Sequence, residues 1–168
     1  MVIGGQAVIV RGDPRLTRDI DVTVGVGTEA IPTLLLLLAD LGLAPLPEDP
    51  AAFARQTMVI PAADPTSGVR LDLILSWTSF AAEAIGRATA MTVDGATYRV
   101  ASAADLVVLK MIAGRPRDLD DVRGILLRNP ELDVALIERW LDGFREAIES
   151  DVDPVIAFRR IRDSIRRP

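Results

Sequence analysis

Two aspartates one residue apart, Asp19 and Asp21, have the types and spacing for metal chemistry. They lie in the run Asp-Ile-Asp-Val-Thr-Val at residues 19–24, and residues i and i+2 of an extended strand project to the same side. Two neighbouring carboxylates repel each other unless a cation lies between them. Such hard oxygen ligands suit Mg²⁺, which takes one or two carboxylates together with substrate phosphates. The pair therefore predicts a metal-dependent phosphoryl-transfer site.

Asp72 is a third carboxylate with a candidate role, because it interrupts the apolar run Leu-Asp-Leu-Ile-Leu at residues 71–75. A lone charge in such a strand is unfavourable unless it is paired or bound to metal. If the two strands are neighbours, Asp72 joins the first two carboxylates. Three carboxylates and a triphosphate hold two Mg²⁺ ions for an in-line displacement. The alternative for each aspartate is a solvated position on an edge strand.

Composition removes most other chemistries. The sequence has no histidine, which excludes imidazole bases, Ser-His-Asp triads and histidine-ligated zinc. It has no cysteine, which excludes disulfides and thiol chemistry and predicts a cytoplasmic protein. The net charge of -5 argues against a surface that binds nucleic acid everywhere. No apolar run reaches about 18 residues, so we expect no membrane span.

Lys110 is the only lysine among 19 basic residues, and the others are all arginine. A lysine retained in such an arginine-rich sequence is a candidate for a required role, because its ammonium is a compact point charge that reaches a phosphate. The alternative is a surface lysine beside the apolar stripe of its helix.

The pattern predicts an α+β fold in which residues 1–100 form an α/β core and residues 101–168 form a helical region packed on it as a single compact unit. Gly4-Gly5 opens a short helix, and Ser102 with Asp105 forms a capping box. We expect strands over 19–24, 56–60 and 69–75 and a hairpin around Asp94-Gly95. Further helices are expected from Thr28 to Leu41, over 80–90, from Ser102 to Gly114, from Pro116, over 132–149 and after Pro154.

Two groups of motifs together resemble a known family. Gly4-Gly5, the run Arg-x-Thr-x-Asp-Ile-Asp at 15–21 and the lone Asp72 resemble the DNA polymerase β-like nucleotidyltransferases. The segment Asp-Leu-x-x-Leu-Lys followed by Arg-Asp-x-x-Asp, within 105–121, resembles the AbiEii-like group, the toxins of type IV toxin–antitoxin systems. The resemblance covers about residues 3–125. It implies a nucleotidyltransferase fold, with a small mixed β-sheet flanked by helices.

The resemblance also implies roles for individual residues. Gly4 and Gly5 would bring backbone N–H groups to the triphosphate at a helix start. Metal binding would fall to Asp19, Asp21 and Asp72, which with Lys110 form the implied catalytic set. The remaining nucleotide-binding residues, beside the two glycines and Lys110, would be Arg15, Thr17, Asp118 and Asp121.

The implied reaction transfers a nucleoside monophosphate from an NTP to an acceptor hydroxyl and releases pyrophosphate, with Mg²⁺ or Mn²⁺ as cofactor. The acceptor would be tRNA or a protein, and a cognate antitoxin would be a partner. Two alternatives stay open at this point. One is an aminoglycoside-type antibiotic nucleotidyltransferase, which needs an acidic pocket for a cationic drug. The other is a catalytically inactive domain that binds a nucleotide or a partner.

Overall fold

A computed structural model describes residues 1–146 and 152–165 of the chain. The chain forms two compact units. The first contains Met1–Gln6 and Leu16–Val100, and the second contains Ala7–Arg15 together with the chain from Ala101 onward. In the described residues no helix is both long and apolar enough to cross a membrane.

The described part of the first unit contains one seven-stranded mixed sheet. Its strands are β1 (Val2–Ile3), β2 (Asp19–Val24), β3 (Ala44–Pro45), β4 (Val59–Ala63), β5 (Arg70–Leu75), β6 (Thr89–Val93) and β7 (Ala96–Val100). They lie side by side in the order β3-β4-β5-β2-β1-β7-β6. The pairs β2–β5 and β1–β7 are parallel, and the other neighbours are antiparallel. The mixed sheet with its flanking helices confirms the predicted fold class.

Alternation along the central strands separates an apolar face from a polar one. Val22 of β2 pairs with Leu73 of β5, which in turn pairs with Ile60 of β4. These side chains pack against helices α2 (Ile31–Asp40) and α3 (Pro50–Thr57). Because successive side chains of a strand alternate, the residues between them face the other side of the sheet. That other side carries the three aspartates.

The helices of the first unit depart from the sequence prediction in two places. Residues Thr28–Ala30 form a short 3₁₀ helix, so α2 begins at Ile31 and not at Thr28 as expected. Residues 50–57, partly predicted as a strand, form α3, because the Asp49 carboxylate accepts from the Ala52 N–H and Pro50 suits the first turn. Helix α4 (Ser79–Arg87) lies where it was expected. So does α1 (Gly4–Arg11), whose first three residues belong to the first unit and whose remainder belongs to the second.

The second unit is helical after Ala101. Its helices are α5 (Ala103–Ala113), α6 (Pro116–Arg128), α7 (Val134–Gly143) and α8 (Pro154–Ile165). The Ser102 hydroxyl accepts the Asp105 N–H, which confirms the predicted cap, and Gly114 ends α5 at φ 62°. The predicted helix over 132–149 corresponds to α7, although residues 147–149 lie outside the described part. Fully buried side chains hold the unit together, including Leu106, Ile125, Ile137, Leu141 and Phe158.

Candidate active site

The acid face is the polar side of β2 and β5, and it carries Asp19, Asp21 and Asp72. These strands are parallel and in register, so Asp21 lies beside Asp72 and Asp19 lies beside Arg70. Directly paired residues of neighbouring strands point to the same side of the sheet. The register therefore brings all three predicted carboxylates to one face, although residues 19–21 and 72 are far apart along the chain.

Gly4 sits against the carboxylate of Asp21. Its φ is +60°, and a Cβ atom placed on it would overlap Oδ2 of Asp21. Both facts require glycine here, because other residues are disfavoured at positive φ and a methyl group has no room. Gly4 is also the first residue of α1, where backbone N–H groups are not used by the helix. The site thus places an acidic side chain beside a helix start that also suits an anion.

Gly5 makes a second close approach, to Thr17. A Cβ atom on Gly5 would overlap the Thr17 hydroxyl. That hydroxyl donates to Oδ1 of Asp19 at 2.8 Å. Thr17 therefore orients the first carboxylate of the pair, a specific role that the sequence pattern did not assign to it.

Arg70 is a member of the acid face that sequence reasoning missed. Its Nε and Nη2 atoms donate to the two carboxylate oxygens of Asp72 at 2.8 and 3.1 Å. The pKa of Arg70 is raised above its ordinary value, mainly by these hydrogen bonds and the charge of Asp72, with smaller contributions from Asp19 and Asp21. The available signal was its i, i+2 spacing from Asp72, which puts both side chains on one side of a strand.

The donor set fits a divalent cation on two carboxylates. Among residues 1–146 and 152–165, no three acidic side chains are gathered as a ready metal group, and Asp72 is engaged by Arg70. Mg²⁺ needs only one or two carboxylates when phosphates supply further oxygens. Asp19 and Asp21 project from one side of β2, and the guanidinium of Arg70 is a cation already held at this face.

A second cluster, the lysine cluster, lies within the second unit and consists of Lys110, Asp118, Asp121, Arg15 and Arg115. The Lys110 ammonium lies 2.8 Å from carboxylate oxygens of both Asp118 and Asp121. The Lys110 residue is only 6% exposed, so it is not the surface lysine of the alternative interpretation. Asp118 and Asp121 lie one turn apart on α6 and therefore share the face that meets α5.

Two arginines complete the lysine cluster. Arg15 binds Asp121 through both carboxylate oxygens, at 2.8 and 2.9 Å. Arg115 binds Asp118 through Nε and Nη2, and its side chain is 74% exposed. Arg15 was predicted as a nucleotide-binding residue, whereas the contact made by Arg115 was not foreseen.

The lysine cluster keeps both of its carboxylates ionised. Burial by itself raises the pKa of a carboxyl group, but the hydrogen bonds from Arg115 and Lys110 and their charges outweigh it at Asp118. At Asp121 burial is outweighed in the same way by Arg15 and Lys110. Both pKa values are therefore held below the ordinary aspartate value, and the cluster carries more positive than negative groups.

The predicted site residues thus fall into two sets, each gathered within its own unit. The first unit holds Gly4, Gly5, Thr17, Asp19, Asp21 and Asp72, and the second holds Arg15, Lys110, Asp118 and Asp121. An acidic face beside a glycine-rich helix start is suited to a metal–triphosphate complex. A buried lysine held by two carboxylates is suited to fixing the helices that carry them.

Comparison with family models gives the class of protein. Residues 1–163 match the family described as "Nucleotidyltransferase of unknown function (DUF6036)". The chain belongs to this nucleotidyltransferase family. The match supports the nucleotidyltransferase superfamily predicted from Gly4-Gly5 and the paired aspartates, and it spans both of the compact units.

The fold resembles that of a solved antibiotic-resistance protein. The antibiotic-resistance factor ANT(2'')-Ia, solved in solution, is 19% identical with a TM-score of 0.52, and the match covers 98% of this nucleotidyltransferase and 84% of that chain. An antigenic nucleotidyltransferase-like protein from Paracoccidioides brasiliensis is 17% identical with a TM-score of 0.49, over 77% of this chain and 66% of that chain. No curated protein matches the sequence.

Proposed function

We propose that this protein is a metal-dependent enzyme that transfers a nucleoside monophosphate from an NTP to an acceptor hydroxyl and releases pyrophosphate. The observation that carries the proposal is the contact between Gly4 and Asp21, together with the register that lays Asp21 beside Asp72. It combines a helix start suited to phosphate with carboxylates suited to a cation.

In this proposal the acid face and the adjoining start of α1 contribute groups with different roles. Backbone N–H groups at the start of α1 would bind the triphosphate, because they have no partner within the helix. Thr17 would keep the Asp19 carboxylate in place through its hydrogen bond of 2.8 Å. Asp19 and Asp21, joined by Asp72, would hold Mg²⁺ or Mn²⁺, which when bound supplies positive charge to the triphosphate and lowers the pKa of the attacking hydroxyl.

Lys110 remains a proposed phosphate-contacting residue on the strength of the family resemblance. Arg15, Asp118 and Asp121 enter the proposal with it as nucleotide-binding residues, and the cluster fixes their positions through ion pairs of 2.8 Å. A preorganised positive group stabilises charge that develops during phosphoryl transfer.

The AbiEii-like resemblance of segment 105–121 supports a toxin-like role, with tRNA or a protein hydroxyl as acceptor and a cognate antitoxin as partner. Such an enzyme would act in the cytoplasm, where its NTP substrate occurs. The fold shared with ANT(2'')-Ia does not choose the acceptor, because one fold hosts many functions. Aminoglycosides are therefore one arm of the test.

The decisive experiment is an acceptor screen. The protein is incubated with Mg²⁺ and each of the four α-labelled NTPs, with total tRNA, with aminoglycosides, with cell proteins, and alone. Label on tRNA or on protein supports the toxin-like role, whereas label on a drug favours the antibiotic alternative. No label in any arm, with either Mg²⁺ or Mn²⁺, contradicts the proposed transfer.

Asp21→Asn tests the acid face directly. The substitution keeps the size of the side chain but removes its charge, so we expect label transfer to fall at least about 100-fold. Asp40→Asn, at an exposed position on α2, should retain wild-type transfer. Equal activity of the two variants would show that the acid face is not the metal platform.

A further inference from the structure

Arg70 occupies the part of the acid face where a metal would meet Asp72. It is the register partner of Asp19 and lies two residues before Asp72 on the same strand. Its guanidinium takes both carboxylate oxygens of Asp72, at 2.8 and 3.1 Å. A carboxylate bound through both oxygens by an arginine has about half of its lone-pair sites occupied and a positive charge beside it, so it binds a further cation less well.

The four charged groups of this face leave a net negative charge. The face holds three carboxylates and one guanidinium, so it still attracts cations after Arg70 is counted. The Arg70 side chain is 50% exposed, whereas that of Asp72 is 16% exposed. The arginine therefore covers the carboxylate from the solvent side, and its head group has open space into which it could turn.

We propose that Arg70 is a positioning residue that competes with the divalent cation for Asp72 and is transferred to the triphosphate when the nucleotide binds. This inference rests on the proposed nucleotidyl transfer. An arginine fork matches phosphate oxygens as well as it matches a carboxylate, so a triphosphate offers it an equivalent partner. Release of Arg70 then opens Asp72 to the metal.

The exchange has a thermodynamic consequence. Since the triphosphate removes a competitor of the metal, each of the two ligands raises the affinity of the other by the same factor. Arg70 therefore keeps metal affinity low in the nucleotide-free enzyme. It also reduces the negative charge of the acid face, which makes the approach of an anionic substrate less unfavourable.

The test measures two affinities of the same proteins without turnover. Binding of Mn²⁺ is followed by the loss of the free-ion signal in electron paramagnetic resonance, and binding of inorganic tripolyphosphate in EDTA is followed by calorimetry. The proteins are the wild type, Arg70→Gln, Arg70→Lys, Asp21→Asn, and Arg55→Gln as a control on α3, which packs on the other face of the sheet.

We expect Arg70→Gln to bind Mn²⁺ about tenfold more tightly than the wild type and tripolyphosphate about tenfold more weakly. Arg70→Lys should lie between the two, because it keeps the charge and loses the fork. Arg55→Gln should match the wild type in both measurements. Damage to the fold would weaken both affinities together, so opposite signs identify the exchange.

Two results overturn the inference. The first is that Arg70→Gln binds Mn²⁺ no more tightly than the wild type while Asp21→Asn abolishes binding. The metal site then stands without a competing role for Arg70. The second is that Arg70→Gln binds Mn²⁺ more tightly but binds tripolyphosphate as well as the wild type does. That result would show that Arg70 is not transferred to the triphosphate. A different failure, in which Asp21→Asn leaves Mn²⁺ binding unchanged, overturns the proposed function together with this inference.

Discussion

At the scale of single residues, Gly4 shows how closely the backbone and an acidic side chain approach each other. Two separate effects act there: a φ of +60° and the absence of room for a methyl group beside Asp21. Gly68 has a similar φ of +72° but nothing within 4 Å of its Cβ position. The two glycines therefore form a matched pair in which only the contact differs.

We expect Gly4→Ala to displace Asp21 and to lower label transfer about 100-fold, since about 1 Å of misplacement is enough for such a loss. Gly68→Ala should lower the free energy of unfolding by about 1–2 kcal/mol, the penalty of the left-handed conformation, and keep its activity. Urea unfolding and transfer assays on both variants provide the measurement. Full activity in Gly4→Ala would mean that the site tolerates movement of Asp21.

Lys110 is the other residue on which a prediction depends. Lys110→Met removes a buried cation from two buried carboxylates, which usually lowers the free energy of unfolding by about 3–5 kcal/mol. Arg15 and Arg115 still bind those carboxylates, so we expect the lower end, about 3 kcal/mol.

Arg123→Ala is the control for Lys110→Met, because Arg123 lies in an exposed pair with Asp120 on α6. Its effect on the free energy of unfolding should stay within about 0.5 kcal/mol. Both values come from urea unfolding monitored by circular dichroism. Equal effects of the two substitutions would show that the lysine is not the centre of its cluster.

At the scale of elements, the start of α5 is held by a hydroxyl with two roles. Ser102 accepts the Asp105 N–H at 3.1 Å and donates to the Asp105 carboxylate, which is fully buried. Ser102→Ala should lower the free energy of unfolding by about 2 kcal/mol, because an N-cap is lost and a buried carboxylate loses a donor.

Asp49→Ala provides the comparison for Ser102→Ala, since Asp49 caps α3 through an exposed hydrogen bond to the Ala52 N–H. A loss of about 1 kcal/mol in the free energy of unfolding is expected there. Chemical unfolding of both variants separates the two contributions. If Ser102→Ala is as mild as Asp49→Ala, the buried Asp105 does not depend on the serine.

Elements with strong local signals were predictable from the sequence. The Asp94-Gly95 hairpin and the Ser102 cap depend on residues within a few positions of each other, and both are present. Strands β1 and β3 have two residues each, too few for any alternation to be visible. Helix α3 was missed although Asp49 and Pro50 give a start signal, because its eight residues are too few for a helical period to be visible.

The acid face was predictable as a set of residues and less so as a set of contacts. The i, i+2 spacing placed Asp19 and Asp21 on one side of a strand, and the apolar surroundings of Asp72 marked it as unusual. The pairing of Asp72 with Arg70 is different, because several charged side chains lie close together once β2 and β5 are in register and each of them has more than one possible partner. That choice is set by tertiary geometry and is not visible in local spacing.

At the scale of the whole molecule, the absence of histidine shapes the response to pH. With no histidine in the sequence, the free energy of unfolding should show no histidine step near pH 6.5. Below about pH 5 it should fall, because Asp118 and Asp121 have folded-state pKa values lower than the ordinary 3.8. Their contribution is fully present above the unfolded pKa and is lost as the pH falls through the folded values.

Urea unfolding at about pH 7, 5.5, 4 and 3 measures this response. Asp121→Asn should be less stable at pH 7 and should lose less on acidification, because one of the responsible carboxylates is gone. Asp40→Asn, at an exposed position of α2, serves as the control and should follow the wild type. An acid response that is identical in Asp121→Asn and the wild type would show that the lysine cluster does not cause it.

The burial of Lys110 also has a use in the laboratory. Because it is the sole lysine and is 6% exposed, the folded chain offers amine-directed reagents no open lysine side chain. Acylation of Lys110 must then wait for α5 and α6 to separate, in a local or global opening. Acylation blocks tryptic cleavage after Lys110, and mass spectrometry can follow the loss of that cleavage. Its rate would thus measure the rate of the opening without any introduced label.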